Sequence, residues 1–576
     1  MKRLTSYSAL IILLAACNGN PASDKQPSAT TASTPVYSCY NAKTTDKAWY
    51  SEGKKAPMLK GLQGIDFHIS TKSREVQDYF NQGMMLAYGF NHAEAARSFY
   101  EATRLDSTCA MAYWGFAYVL GPNYNAGMEE DNFIRAYDAA TKAVSLSANA
   151  SAKEKALIQA LAARYAKPAP ADRKSLDIAY ADAMKKVYQQ YSSDPDIGAL
   201  YAEAIMDLHP WDLYDKKTKA PKAWTPGILA ALEHLMTVNP KHPGAHHFYI
   251  HAVEASAHPE KGLASSKLLE TLVPGSGHLV HMPSHIYINT GDYHQGSLVN
   301  LAAIQADSNY LTACHAQGAY PLSYYPHNYH FLVATAAFEG NSALAWKAAL
   351  KMQKDSDSGI MRMPGWGTLQ HYYTMPWYIA VKFAMWDTIL NIPSPAAHLV
   401  YPRAIWHFAR GLAFLGKNDL SNANKEMGKL KTLAADTTLQ ALTIWNINTT
   451  ADLVQIASKV LAAEIASNQK QWQRSITLLE EAIAIEDNLN YNEPPDWLFS
   501  VRHHLGAVLL KAGKHNEAEK VYNRDLQTWR NNGWALIGLY NALAMQKKND
   551  EAAATKLRFD KSWLYADVKI GSSSPL

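Results

Sequence analysis

Apolar and small residues recur along this chain at the spacing of a helix face. Residues three or four positions apart lie on one side of a helix, and small side chains let two helices approach closely. The period-two alternation of strands is nearly absent, so the pattern predicts an all-α fold of packed helix pairs. In the first clear segment the large apolar positions are Tyr79, Leu86 and Phe99, and the small positions are Gly83, Ala95 and Ala102.

The same frame recurs in three later segments and resembles that of the tetratricopeptide repeat, a family of 34-residue helix pairs. The resemblance covers about two-thirds of the chain from residue 75 onward. It implies a superhelix whose concave groove holds peptides and partner proteins. The later positions are Gly411, Phe414, Ala423 and Met427; Ala463, Ala466, Leu479 and Ala482; and Gly506, Leu509, Ala518 and Tyr522.

Two arrays of such repeats are expected, over residues 37–345 and 346–576. Insertions rich in Pro, Gly, Tyr and Trp interrupt them. Loops of this length are uncommon in a compact array unless they cover something. They either fold over the inner surface or pack against a helix edge. The predicted insertions are residues 121–128, 209–226, 307–326 and 356–376.

The N-terminus has the pattern of an export signal. Lys2 and Arg3 precede a short apolar stretch that ends in Leu14-Ala15-Ala16-Cys17, which resembles the lipobox of bacterial lipoproteins. The resemblance implies a signal peptide over residues 1–17, a lipid on Cys17 and a Ser/Thr/Pro-rich tether over residues 18–36. We therefore expect a lipid-anchored protein of the cell envelope, at the outer membrane and facing the periplasm or the surface. A plain cleavable signal peptide is the alternative.

The composition of the chain limits the kinds of partner that we expect it to bind. The chain is 48% hydrophobic and 18% charged, with a formal net charge of +4. A chain of this composition does not suggest the basic face of a nucleic-acid-binding protein, so no nucleic-acid partner is expected. Membrane contact is expected only through the N-terminal lipid.

Histidines concentrate in the middle of the chain. Thirteen of the 22 lie within residues 234–330. His247 and His251 are four residues apart, as are His281 and His285, and the two pairs are offset by 34 residues. The family resemblance places both pairs at positions 5 and 9 of a repeat, which line the groove.

The same frame extends to neighbouring residues. It places Glu254, His278 and Asn289 in the groove as well. If Gly340 marks the turn of the next repeat, His327 and His330 fall at its positions 2 and 5. Three successive helices would then direct imidazoles at one patch.

This arrangement suits a metal ion. Residues four apart on a helix are about 6 Å apart, and neighbouring helix axes are about 8–10 Å apart, so two such pairs can converge on one ion. Glu254, His327 and His330 would then complete a second site or support the ligands of the first. Neutral imidazoles favour divalent Zn, Cu or Fe over Mg or Ca. The alternatives are an ion-free groove that binds an acidic or aromatic ligand, and purely structural histidines. The predicted ligands are His247, His251, His281, His285, His327 and His330.

Acidic residues offer a possible catalytic base. Glu203, four residues before Asp207 on a predicted helix, and Glu254 are the candidates. A capping or solvated role is the alternative for Glu203. The Pro-rich segment of residues 491–497 is interpreted as a rigid turn into a helix, with Asp496 as its cap.

Three functions remain open. The leading hypothesis is an anchored scaffold that binds a protein, a peptide or a small molecule in its groove, with a histidine-bound metal in the middle. The second is a metal-dependent hydrolase or oxidoreductase on a repeat scaffold. The third is a lipoprotein that sequesters a metal.

Overall fold

The structure is a computed structural model. The predicted signal peptide and tether, and with them Cys17, lie outside the residues it describes. Those are residues 47–314, 320, 324–356, 359–363 and 365–576.

Helices dominate the described chain, and consecutive helices pack on one another. In chain order they are α1 (Lys47–Ser51), α2 (Arg74–Tyr88), α3 (His92–Leu105), α4 (Ala110–Leu120), α5 (Asn132–Leu146), α6 (Ala152–Ala162), α7 (Lys174–Gln190), α8 (Pro195–Met206), α9 (Thr225–Val238), α10 (Pro243–Glu254), α11 (Leu263–Leu272), α12 (Gly277–His281), α13 (Pro283–Thr290), α14 (Tyr293–Cys314), α15 (Tyr325–Phe338), α16 (Ser342–Asp355), α17 (Gly367–Lys382), α18 (Trp386–Asn391), α19 (Val400–Gly416), α20 (Leu420–Ala434), α21 (Thr438–Ala441), α22 (Thr450–Asn468), α23 (Trp472–Glu486), α24 (Arg502–Lys511), α25 (His515–Thr528), α26 (Gly533–Met545) and α27 (Asn549–Ser562).

Two short strands and three single-turn 3₁₀ helices complete the secondary structure of the described residues. Strands β1 (Thr443–Ile444) and β2 (Asn448–Thr449) pair antiparallel. The 3₁₀ helices are Ser147–Asn149, Pro259–Gly262 and Ile360–Arg362.

The small and large positions of the repeat frame explain how a pair of helices packs. A Cβ atom added at Gly83 of α2 would lie 2.6 Å from the Phe99 ring of α3, which is fully buried. Gly506 of α24 faces Tyr522 of α25 in the same way. Side-chain caps mark some of the helix starts: at α2, Ser73 accepts a hydrogen bond from the Val76 backbone N–H at 3.3 Å.

The helix starts follow the predicted repeat. α10 begins at Pro243 and α12 begins at Gly277, 34 residues later. Pro283 divides the second of these first helices into α12 and α13. α15 begins at Tyr325, next to the predicted start of the third. The all-α helical-repeat class is thus confirmed.

Two of the predicted insertions are partly helical, which corrects the expectation for them. Residues 307–314 belong to α14, and α17 begins at Gly367 and continues through Pro376. Buried apolar side chains such as Leu369 and Met375 hold α17 in place despite the proline. None of the helices in the described chain has the length and apolar character that crossing a bilayer requires.

The buried apolar residues form two large clusters that meet at the histidine-rich helices. The first extends from Ala56 to Tyr324 and the second from Ile288 to Ala552. The division of the chain into arrays at residue 345 stays a prediction.

Late segments of the chain pack back on α13. Tyr293 donates a hydrogen bond to the Arg530 carbonyl at 2.9 Å, and Asn289 donates one to Glu493 at 2.5 Å. The loop between α23 and α24 is therefore next to the histidine-rich helices, although it lies about 200 residues away in sequence.

Candidate metal centre

Three histidines form the first set, which we call the upstream triad: His247 and His251 on α10 and His278 on α12. One nitrogen from each lies within 4.8 Å of the others. The Nε2 atoms of His247 and His278 are 3.2 Å apart. All three residues are buried.

Hydrogen bonds to oxygen acceptors fix the tautomers of two upstream imidazoles. The Nδ1 atom of His247 is 2.6 Å from the Tyr88 carbonyl, and that of His251 is 2.7 Å from Glu254 Oε1. A carbonyl cannot donate, so His247 Nδ1 carries the proton and its Nε2 presents a lone pair. The buried Nε2 of His251 has no hydrogen-bond partner within the described chain. The Nε2 of His251 is thus free to accept an ion, and the Nε2 lone pair of His247 points at Nε2 of His278.

The second set, the downstream triad, contains His281 on α12, His285 on α13 and His327 on α15. The Nε2 atoms of His281 and His285 are 2.9 Å apart. His281 Nδ1 is 2.7 Å from Asn300 Oδ1, and the amide nitrogen of Asn300 donates to Gly296, which fixes the amide orientation. His281 therefore donates through Nδ1 and presents the lone pair of Nε2.

Two carboxylates lie behind the imidazoles of the triads. Glu254 Oε1 accepts from His251, and its Oε2 lies 2.6 Å from Nδ1 of His285, so this one side chain links both triads. Glu493, from the loop after α23, lies 2.6 Å from the same nitrogen. Carboxylates behind metal-binding imidazoles orient the ring and raise its basicity.

Burial and these carboxylates divide the imidazoles into two electrostatic classes. Burial by itself lowers the pKa of His285, but the facing Glu254 and Glu493 outweigh it and raise that pKa to about 9. Burial also raises the pKa of Glu493 to about 8. Burial, together with the neighbouring imidazoles, lowers the pKa of the other five well below the ordinary 6.5, which keeps them neutral. These five are His247, His251, His278, His281 and His327.

A phenylalanine packs against each triad. The Phe90 ring centroid lies 4.5 Å from that of His247 and 5.7 Å from that of His278. The backbone of Phe90 is left-handed, with φ at 54°, a costly conformation that directs its ring at the triad. Phe331 lies 4.7 Å from His281 and also contacts the other two downstream rings. These rings exclude water from the histidines.

The insertions cover the histidines as well. Tyr124 and Trp211 pack against His251 with ring centroids at 5.2 and 5.6 Å, and Tyr324 packs against His278 at 5.1 Å. All three come from predicted insertions. These loops therefore fold over the inner surface rather than only packing against a helix edge.

Five of the six predicted ligands lie in the two triads. The structure groups the two pairs into two sets, each completed by a third histidine, and ion binding at these sets stays a prediction. His278, which the frame placed in the groove but not among the ligands, completes the upstream set. The five are His247, His251, His281, His285 and His327.

The sixth predicted ligand, His330, lies elsewhere. Its ring faces His371 at 5.4 Å and Tyr372 at 5.2 Å between centroids. Three residues along a helix rotate a side chain by about 60°, so His330 faces α17 while His327 faces α12 and α13.

The two predicted acids have separate surroundings. Glu254 lies in the centre but contacts imidazoles through their Nδ1 atoms. Glu203 accepts a hydrogen bond from Tyr118, in a buried cluster where Arg164 and Asp207 pair at 2.7 Å. Burial raises the pKa of Glu203 to about 7.

Sequence reasoning missed Glu493. Residues 491–497 do not lead directly into a helix, because α24 begins only at Arg502. Asp496 is not a cap but accepts hydrogen bonds from Asn448 and Asn492, each at 2.7 Å, which hold the loop in place. No pattern in the sequence around Glu493 indicates this role, because Glu493 reaches His285 only when two distant parts of the folded chain come together.

Comparison with known proteins gives similarity in fold only. No family model matches the chain, and no curated protein matches it. Solved structures that align include human IFIT1 with m7Gppp-AAAA (TM-score 0.30, 14% identity, 87% of this chain and 92% of that one). The TPR domain of P58(IPK) aligns with a TM-score of 0.22 and 12% identity over 83% and 99% of the two chains. Yeast Tom70 aligns with a TM-score of 0.23 and 11% identity over 84% and 93%. Similarity of this degree says nothing of what the chain binds.

Proposed function

We propose that this helical-repeat chain is a metalloprotein that binds two transition-metal ions, one in each triad. The observation that carries the proposal is the pair His281 and His285. Both Nδ1 atoms face oxygen acceptors, and the two Nε2 atoms then face each other at 2.9 Å. Two lone pairs at this distance repel unless a cation, either a proton or a metal ion, lies between them.

The donor chemistry fits such an ion. Zn–N bonds of about 2.0–2.1 Å at tetrahedral angles separate two ligand nitrogens by about 3.3 Å. The Nε2 pairs are 3.2 Å apart in the upstream triad and 2.9 Å apart in the downstream one. Sets of neutral imidazoles favour Zn, Cu or Fe. When bound, these ions supply a Lewis acid or, for Cu and Fe, a redox centre.

The repeat scaffold gives the centre its setting. The expected lipid on Cys17 would hold the protein at the cell envelope, with the groove available to a protein, a peptide or a small molecule. We propose this anchored binding role as the context of the metal centre.

Elemental analysis of the purified mature chain, reconstituted with Zn²⁺ and desalted, tests the proposal. We expect about two ions per chain, and about one in either His247→Ala/His251→Ala or His281→Ala/His285→Ala. The control His234→Ala/His258→Ala removes as many imidazoles from exposed positions and should keep both ions. A wild-type chain that retains no ion would refute the proposal.

A metal-dependent enzyme is the second candidate, and one observation favours it. A cavity of about 680 Å³ reaches Glu254 and Glu493, the carboxylates behind His285. An ion held by three histidines also keeps a position for water or substrate. Hydrolase and oxidase screens of the Zn-, Cu- and Fe-loaded chains, with His281→Ala/His285→Ala as the inactive control, test this candidate.

A further inference from the structure

The cavity of about 680 Å³ lies between the turn of residues 215–220, the loop of residues 488–497 and the end of α13. Its volume is that of a typical small-molecule site. Amides and aromatic rings make up much of its wall: Asn289, Asn448, Asn488, Asn490, Asn492, Tyr491, Trp497 and Trp529.

Three lysines of the turn line this cavity: Lys216, Lys217 and Lys219. Within the described parts of the chain, none of them has a carboxylate within 4.0 Å. Lys222 of the same insertion differs, because it pairs with Asp212 at 3.3 Å and does not line the cavity. These three lysines therefore form no direct ion pair within the described chain, although the charges of Glu493 and Asp215 act on Lys219 from a longer distance.

Each acidic group of the lining has its nearest partner elsewhere and not among these lysines. Glu254 and Glu493 face His285, and Asp496 accepts from two asparagines. The remaining acids are bonded as well: Glu486 to the Val501 backbone N–H, Asp487 to Arg502, and Asp525 to His503 and Asn532.

The turn holds Lys219 rigidly at the cavity. Asp215 accepts hydrogen bonds from the backbone N–H groups of Lys217 and Thr218, at 3.1 and 2.7 Å. Lys219 itself has a left-handed backbone, with φ at 58°. Its Nζ lies 5.3 Å from the centroid of the Tyr491 ring. Burial lowers the pKa of Lys219, and this effect outweighs the negative charges of Glu493 and Asp215, which act to raise it.

We propose that this cavity binds a small organic anion, a carboxylate or a phosphate ester, whose charge pairs with Lys219. Lys216 and Lys217 attract the anion at the mouth, and the ring of Tyr491 supports its carbon skeleton. Lys216 also donates to the Asn488 carbonyl at 3.1 Å, which ties the turn to the opposite wall. Binding does not require an ion in either triad.

Calorimetric titration of the mature chain with two matched ligand pairs tests this site. Glutarate is compared with its neutral diamide, glutaramide, and glycerol 3-phosphate is compared with glycerol. We expect at least one anion to bind roughly tenfold or more tightly than its neutral partner, and added salt to weaken it. The pair that shows the difference identifies the anion as carboxylate or phosphate.

Variants locate the site. Lys219→Gln should lower the affinity for the preferred anion by about tenfold. Lys219→Arg should largely keep that affinity, and Lys222→Gln should leave it unchanged. The His281→Ala/His285→Ala chain should still bind the anion, which separates this site from the metal centre. Equal binding of charged and neutral partners, or equal effects of Lys219→Gln and Lys222→Gln, would overturn the proposal.

Discussion

Histidines of the C-terminal repeats and histidines of the central repeats are both buried, but they have different partners. Three imidazoles of the C-terminal repeats each pair with an acid on a neighbouring element. The pairs and their N···O distances are His407–Glu426 at 2.5 Å, His503–Asp525 at 3.0 Å and His504–Glu464 at 2.5 Å. In the centre, only His251 and His285 of the six imidazoles contact a carboxylate, and nitrogens of neighbouring rings face one another.

This difference separates structural histidines from candidate ligands. Each of these three C-terminal imidazoles pairs with a carboxylate, and none belongs to a group of side chains in the described chain that could hold an ion. An imidazole whose Nδ1 donates to oxygen and whose Nε2 faces another imidazole leaves a lone pair that a cation can use. The number of histidines alone would not distinguish the two regions.

The largest expected effect is stabilisation of the whole chain by metal. With Zn²⁺ at a thousandfold excess over its dissociation constant, each binding triad should add about 4 kcal/mol to the free energy of unfolding. A His247→Ala/His281→Ala chain, which damages both triads, should lose this response in denaturant titrations. His407→Ala should keep it. An equal loss in both variants would remove the distinction between the regions.

The next effect concerns the C-terminal pairs. His503→Ala should lower the free energy of unfolding by about 3 kcal/mol, because the buried Asp525 and Lys382 lose the ring that lies between them. The metal content should not change. His398→Ala, at an exposed position, is the control and should shift stability by less than about 0.5 kcal/mol.

How far the sequence could predict the centre depends on how local each contact is. The 34-residue offset between the two pairs, and the starts of α10 and α12, follow from the repeat and were predicted. Glu493 could not be found, because it reaches His285 only when a loop far along the chain packs on α13. His330 is a different case. The helix that carries it was predicted correctly, but the sequence did not determine that its side chain faces His371 and not the triads.

A smaller effect tests the carboxylates. Glu254→Gln should lower the affinity for the ion in each triad by about 10- to 100-fold, or about 1.4–2.7 kcal/mol. The reason is that His251 and His285 both lose their orienting carboxylate. Glu493→Gln should lower only the affinity of the downstream triad for its ion, since Glu493 contacts His285 alone among the triad histidines. Competition with a chromophoric chelator, in chains that retain a single triad, measures each constant. Identical profiles for the two variants would contradict the bridging role of Glu254.

The smallest effect is a difference in pH dependence between the triads. Because the pKa of His285 is raised to about 9, its Nε2 holds a proton at neutral pH, which a metal ion must displace. The downstream affinity should therefore rise about tenfold, or about 1.4 kcal/mol, per pH unit from about 7 to 9 and then level off. The upstream imidazoles have pKa values well below 6.5 and hold no such proton, so their affinity should stay nearly constant over that range.

Calorimetry in buffers of different ionisation enthalpy can count these protons. The His247→Ala/His251→Ala chain isolates the downstream triad and should release about one proton per ion near pH 7.5, while His281→Ala/His327→Ala isolates the upstream triad and should release almost none. Proton release from the upstream triad would mean that one of its imidazoles is charged before the ion binds, although burial lowers the pKa of all three. The absence of release downstream would mean that Glu254 and Glu493 do not charge His285. Either result would show that burial and the facing carboxylates do not divide the imidazoles into these two electrostatic classes.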